Sequence, residues 1–150
     1  MISPQTIEFL VRWLKELEGF SPKVYQCAGG YKTIGYGHRI YRKEKFPSLM
    51  SKAEGDRLLR LDIVHLVPQV QNLIIVPLSS NQWVALLSFS FNVGVAALQR
   101  STLRLKVNRQ EHKLVLEELM KWVWAGNKCS QGLKNRRFKE GLLYEKGMVP

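Results

Sequence analysis

Apolar residues recur at helical spacing soon after the N-terminus. Ile7, Leu10, Val11, Leu14 and Leu17 share one face, and Glu8, Arg12, Lys15 and Glu16 the other. Ser3-Pro4 supplies a cap and a proline at the first helical position, and Gly19 a stop, so the pattern predicts a helix with Glu18 in its last turn. From Phe20 to about Tyr41 the period shortens. Val24-Tyr25-Gln26-Cys27 and Tyr31-Lys32-Thr33-Ile34-Gly35-Tyr36 read as strands around an Ala28-Gly29-Gly30 turn. The basic run Arg39–Lys45 reads as a third strand or an exposed loop. Gly35 and Gly37 weaken strand character and point to a bulge or a close backbone approach.

Helices take over after residue 50. Ser51-Lys52-Ala53-Glu54 has capping-box spacing and opens a helix through Leu58, Leu61, Ile63 and Leu66, kinked at Pro68 and stopped by Pro77. Ser79-Ser80-Asn81-Gln82 caps the next helix, whose Trp83, Leu86, Leu87, Phe89 and Phe91 make it apolar on nearly every side. Such a helix belongs at the centre of a core. Shorter helices are expected at 95–98, 102–107, 111–120 and 133–144. No internal repeat or low-complexity linker interrupts the chain. One helix, a small sheet and then helices is an α+β order, expected as a single domain over residues 1–150 with the sheet-bearing lobe at about 18–50.

Composition narrows the partners. The chain of 150 residues carries 23 Lys+Arg against 12 Asp+Glu, a net charge of +11, which predicts an acidic partner: nucleic acid, an anionic membrane or an anionic wall polymer. A hydrophobic content of 45% excludes a disordered tail. No apolar run approaches the roughly 20 residues of a membrane span. Two cysteines, Cys27 and Cys129, lack CxxC or metal-ligand spacing, so no disulfide between them, no metal and no cofactor is expected. The N-terminus shows no secretory signal. A nucleic-acid-binding module is weakened by dispersed basic residues and the lack of a recognised motif. A membrane-disrupting helix at Leu133–Lys146 is weakened by Gly141 and two glutamates.

The densest candidate chemistry is at residues 18–38. It places a carboxylate, Glu18, at a helix end, and Cys27 and Thr33 on adjoining strands that a hairpin brings within about 5 Å of each other. The negative pole of the helix disfavours an ionised Glu18, which suits a general acid; an arginine pairing with it would oppose that effect. A lone glutamate is otherwise a solvated surface residue.

The run Glu-Gly-x5-Tyr-x-Cys-x5-Thr-Ile-Gly-Tyr-Gly-His at 18–38 resembles the active-site signature of the phage-type lysozymes, glycoside hydrolase family 24. Leu87-Ser88-Phe89-Ser90-Phe91-Asn92-Val93-Gly94 followed by Ser101-Thr102-Leu103, and Gly132-Leu133-x2-Arg136-Arg137-x2-Glu140, are similar to its central-helix and C-terminal blocks. The resemblance implies a lysozyme-like fold with glycan in a cleft between a sheet lobe and a helical lobe. It also implies cleavage of the β-1,4 bond between N-acetylmuramic acid and N-acetylglucosamine in peptidoglycan. By position, Glu18 is the general acid, and Cys27 and Thr33 hold the attacking water.

Cysteine at 27 departs from the aspartate most relatives carry. A thiol with an ordinary pKa of about 8.5 is mostly neutral at pH 7. Two roles stay open, a thiolate base in an inverting displacement or a nucleophile that retains configuration. Tyr36, Asn92 and Arg137 are the expected substrate contacts, with helix capping the alternative for Asn92 and a solvated helix face for Arg136 and Arg137. One of those arginines is expected beside Glu18. His38 is expected to be a structural partner, Ser101 an N-cap, and Trp83, Trp122 and Trp124 core residues. The resemblance further implies a monomer acting on peptidoglycan strands, with no nucleic acid and no stable membrane insertion. It would be held in the host cytoplasm until a pore-forming phage protein releases it to the periplasm and wall at lysis.

Overall fold

The helix at the N-terminus, α1 (Pro4–Glu18), starts where its signals place it, with the Ser3 hydroxyl accepting the Thr6 N–H at 3.1 Å. It ends at Gly19, whose φ of +68° is left-handed and open to glycine without penalty. The computed structural model describes residues 1–147. The chain divides into two compact units: Val11–His65, which bears the sheet, and Met1–Leu10 together with Leu66 onward, which is helical.

In the sheet-bearing unit, β1 (Ser21–Gln26), β2 (Lys32–Gly35) and β3 (His38–Arg39) form an antiparallel sheet in that order. The register pairs Tyr25 with Thr33, Thr33 with Arg39 and Ile34 with His38. Alternation therefore sends Ile34 and His38 to the buried face. The third strand is far shorter than Arg39–Lys45. The chain turns at Tyr41, where Glu44 N–H bonds the Tyr41 carbonyl at 2.9 Å and the Glu44 carboxylate takes the Tyr41 N–H at 2.8 Å. Ser51 and Glu54 form the reciprocal capping box, at 2.8 and 3.1 Å, that opens α2 (Lys52–Gln71). Leu14, Ile34, Leu59 and Ile63 are each no more than 1% exposed. Burying side chains of this size contributes about 1.5–3 kcal/mol apiece. Gly55 leaves the space that the Phe20 ring fills. Helix α2 runs through Pro68 and ends at Gln71, well before Pro77.

In the helical unit, α3 (Ser80–Val93) opens on the Ser79/Gln82 capping box and is buried from Val84 to Ser90. It is followed by α4 (Val95–Arg100), α5 (Thr102–Asn108), a 3-10 turn (His112–Leu114), α6 (Val115–Leu119) and α7 (Gln131–Lys146). The single helix expected over 111–120 is thus split. Gln110 just before it is left-handed (φ +60°), and Glu111 is tied back to Lys106 at 2.7 Å. A small hairpin of β4 (Trp124–Ala125) and β5 (Lys128–Cys129) was not legible in the periodicity. It leaves Trp124 61% exposed, against the expectation of a core residue, whereas Trp122 packs edge-on to Phe89 at 5.4 Å.

Helix α7 is no free amphipathic helix. Arg136, Arg137, Glu140, Gly141, Leu143 and Tyr144 are all buried in it. A Cβ at Gly141 would collide with Leu116 of α6, so the mid-helix glycine is what lets those two helices approach. Among the described residues no helix is long and apolar enough to cross a membrane.

Candidate functional site

Glu18 ends α1 and is half-buried. The β2–β3 turn lies directly on its carboxyl: a Cβ at Gly37 would stand 2.8 Å from Glu18 Oε2. Gly37 also has a φ of +77°, so a side chain there is strained twice, once by its backbone and once by the carboxyl it would displace. The glycine-rich run after Thr33 therefore lets a backbone turn close over the acid.

Cys27 follows β1 directly. Its N–H bonds the Tyr31 carbonyl at 2.9 Å and its carbonyl accepts the Gly30 N–H at 2.9 Å, closing the Ala28-Gly29-Gly30 turn. Burial pushes the Cys27 thiol up. The N–H groups of Tyr31 and Gly29, helped by the Thr33 hydroxyl, favour the thiolate more strongly and hold its pKa below the ordinary cysteine value. The hairpin thus brings Cys27 and Thr33 into contact. Thr33 has one hydroxyl proton and two acceptors, the Cys27 sulfur and the Tyr31 carbonyl at 3.0 Å. Cys27 and Cys129 are both free thiols.

Tyr25 was not singled out by sequence reasoning and belongs with these groups. Its phenol is pushed up by burial, then by the negative charges of Glu18 and Cys27. The Tyr-x-Cys spacing was the available signal, because residues two apart on a strand share a face.

Tyr36 is half-buried, stacked obliquely on Phe20 at 5.1 Å with the Lys15 ammonium 5.3 Å from its ring centre. His38 is clamped between carboxylates on two other segments. Its Nδ1 lies 2.9 Å from both Asp62 oxygens, its Nε2 3.0 Å from Glu44 Oε2, and its ring meets Phe46 edge-on. Both ring nitrogens donate in the imidazolium form. Burial lowers the His38 pKa, but the bonds to Asp62 and Glu44 outweigh it and the pKa is raised. For Glu44, burial raises the pKa while the Tyr41 N–H and His38 bring it below the usual carboxylate value.

The signs fix a pH window for this clamp. The histidine's contribution is complete below an unfolded pKa near 6.5 and is lost as pH rises through the higher folded value. That of Glu44 is present above about 4.3 and is lost as pH falls through its lower folded value. The His38→Gln variant should be less stable by about 2 kcal/mol near pH 5–6, the scale of bonds to a charged group. Glu44 is 35% exposed, so solvent screens its share and the Asp62 side supplies more. Urea denaturation of both proteins from pH 5 to 9 measures this. A difference that stays constant across that range would rule out the charged clamp.

In the helical unit, Asn92 and Arg137 meet each other. The Arg137 Nη2 donates to Asn92 Oδ1 at 2.8 Å. Helix α3 is closed by Gly94, so Asn92 does not cap it. Neither arginine lies on a solvated face. Arg137 is 0% exposed and Arg136 8%, gathered around Glu140, which also accepts the Ser88 hydroxyl at 2.7 Å. Buried guanidinium groups need such partners, because an uncompensated charge inside a protein costs several kcal/mol. Ser101 caps α5 by accepting the Arg104 N–H at 3.0 Å.

The family model for phage lysozyme matches residues 15–140. An endolysin of Bacillus phage B103 is 35% identical over 140 residues, 91% of this chain and 52% of that protein. The chain spans about half the length of the Bacillus phage relatives. An endolysin of Acyrthosiphon pisum secondary endosymbiont phage 1 is 35% identical over 136 residues, 88% of this chain and 92% of that protein.

Two solved structures are similar over the whole chain. An endolysin from Escherichia coli O157:H7 phage FAHEc1 has a TM-score of 0.82 at 27% identity, covering 100% of this chain and 96% of that one. The muramidase domain of SpmX from Asticaccaulis excentricus has a TM-score of 0.80 at 30% identity, covering 100% and 99%. The match begins within α1, takes in the turn that closes over Glu18 and the hairpin that holds Cys27, and ends at Glu140 in α7, so this chain belongs to the phage lysozyme family.

Proposed function

We propose that the chain is a glycoside hydrolase of family 24 that cleaves the β-1,4 bond between N-acetylmuramic acid and N-acetylglucosamine in peptidoglycan. The observation that carries this reading is the grouping, within one unit, of Glu18, a thiol of lowered pKa at Cys27 and the Thr33 hydroxyl around Tyr25. Glu18 gives its proton to the leaving oxygen as the glycosidic C–O bond breaks. A water, oriented by Thr33, forms the new bond to the anomeric carbon and passes a proton to the Cys27 sulfur. Tyr36 contacts sugar in the sheet-bearing unit; taken by itself, the helical unit offers the exposed amide of Asn92 as a sugar contact, held in orientation by buried Arg137.

In this reading the 150 residues form one lysozyme domain, a monomer without cofactor, and its partner is the glycan strand. It waits in the host cytoplasm until a pore-forming phage protein opens the way to the periplasm and wall, and lysis follows. The membrane-helix alternative has no support in an α7 that buries Arg136, Arg137 and Glu140 together with Leu143 and Tyr144.

Digestion of purified sacculi followed by borohydride reduction tests the bond cleaved. Reduced muramic acid is expected in the hydrolysate. Reduced glucosamine, or free amino groups from peptide cleavage, would assign another bond.

A further inference from the structure

The face of the sheet that carries Tyr25 and Thr33 in the Val11–His65 unit extends beyond the groups that the hydrolytic reading uses. Register puts Tyr25, Thr33 and Arg39 in one row across β1, β2 and β3. The ladder continues past the strand ends, with Cys27 N–H on the Tyr31 carbonyl and Ile40 N–H on the Lys32 carbonyl, both at 2.9 Å. Residues two apart therefore keep the same side, so Tyr31 and Tyr41 join the row of Thr33 and Arg39. Ring geometry agrees: the Arg39 guanidinium lies 3.5 Å from the Tyr31 ring centre and 5.8 Å from that of Tyr41.

These side chains face solvent, with Tyr31 47% and Tyr41 63% exposed and Arg39 exposed beside them. Among the described residues Arg39 makes no ion pair, and its guanidinium lies against the Tyr31 ring with the Tyr41 ring beyond. Stacking holds the guanidinium plane in place and leaves its N–H edges free. That is the form in which arginine binds a carboxylate through two parallel hydrogen bonds. Residues 21–45 hold six Lys or Arg (Lys23, Lys32, Arg39, Arg42, Lys43, Lys45), all exposed, against the single acid Glu44. Glu44 is itself taken up by His38. None of the six makes an ion pair among the described residues, and the self-repulsion of like charges at this density is relieved when an anion meets it.

We infer that Tyr31, Arg39 and Tyr41 form a binding surface for the acidic peptide stems of the wall polymer. Arg39 takes a peptide carboxylate and the tyrosines pack the stem. This rests on the proposed function, which seats glycan at Cys27 and Thr33. Arg39 sits one strand from Thr33, about 5 Å between opposed Cα atoms. The acidic groups that such a glycan carries within that reach are those of its peptides. Tyrosine and arginine are also the residue types that dominate binding energy at protein surfaces.

Binding is measured without turnover, in the Glu18→Gln background, by co-sedimentation with intact sacculi and with glycan strands freed of peptide by an amidase. On sacculi, adding Arg39→Gln should weaken the Kd about tenfold and Tyr31→Ala several-fold, with Arg39→Lys failing to rescue because it lacks the planar fork. On peptide-free strands all variants should match their parent. Equal weakening on both polymers would assign the surface to the glycan itself, through its rings or the lactyl carboxylates that amidase exposes, and overturn the inference. So would unchanged binding on both, or weakening confined to a DNA duplex or to vesicles of phosphatidylglycerol. Failure of the hydrolytic reading shows separately, as wild-type protein that releases no reduced muramic acid while peptide-dependent binding persists. All three residues are exposed, and a thermal midpoint unchanged from the parent certifies each variant as folded.

Discussion

Glu18→Gln is expected to lower the rate of sacculus clearing by about 10²–10⁴-fold, the usual weight of a positioned general acid. The amide is nearly isosteric with the carboxyl and keeps its place at the end of α1, but it has no proton to give the leaving oxygen. The surroundings of Glu18 make positional error small. Gly37 brings a backbone turn to within van der Waals distance of the carboxyl, so a side chain of the same size stays where it was. Turbidity of purified sacculi at matched protein concentration is the measurement, with the thermal midpoint as a control for folding. A variant that clears at more than about a tenth of the wild-type rate would remove Glu18 from the acid's role. A basic protein acting by membrane disruption or nucleic-acid binding would be indifferent to this substitution, so the experiment also separates the classes.

The second large effect is at Cys27. Serine there should lose nearly all activity, on the order of a hundredfold or more, because an alcohol cannot carry the negative charge that a base needs near neutral pH. Aspartate should retain activity to within about tenfold, since a carboxylate takes a proton from water at the same place. The wild-type rate should rise with pH until the thiol is ionised. That point lies below the ordinary cysteine pKa, because burial is outweighed by the N–H groups of Tyr31 and Gly29 and by Thr33. In the aspartate variant the same rise should move to acid pH, where carboxylates ionise.

Iodoacetamide should abolish wild-type activity and spare Cys27→Asp, whose remaining thiol, Cys129, is exposed. The base role predicts an inverted product anomer. A retained anomer would assign Cys27 as nucleophile, and an inert aspartate variant would refute its equivalence to a water-activating residue.

Much of this site could be read before any coordinates. Glu18 at a helix end, and Cys27 and Thr33 across a short hairpin, follow from signals a few residues long: a proline start, a glycine stop, a turn of two glycines. The β4–β5 hairpin escaped because two-residue strands carry no alternation to detect. Helix α2 continued through Pro68 as expected but ended at Gln71, ahead of Pro77, where the chain tightens into a turn with Leu73 N–H on the Val70 carbonyl at 3.0 Å. Trp124 was misplaced for a related reason, since an aromatic beside an apolar residue looks like core until the chain direction is known.

What the sequence by itself determined was the order and type of the longer elements and the identity of the reactive groups. Periodicity, capping and turn chemistry act between residues one to four apart and are written in the chain. Only the tertiary structure decided which charges are buried and what holds them. Arg136 and Arg137 left solvent because Ser88 and Asn92, more than forty residues earlier, offer oxygens to their cluster. The cationic form of His38 is favoured because Asp62, 24 residues later, meets its ring. Desolvation and charge pairing depend on distance in space, and distance in space is set by packing between elements that no local pattern encodes.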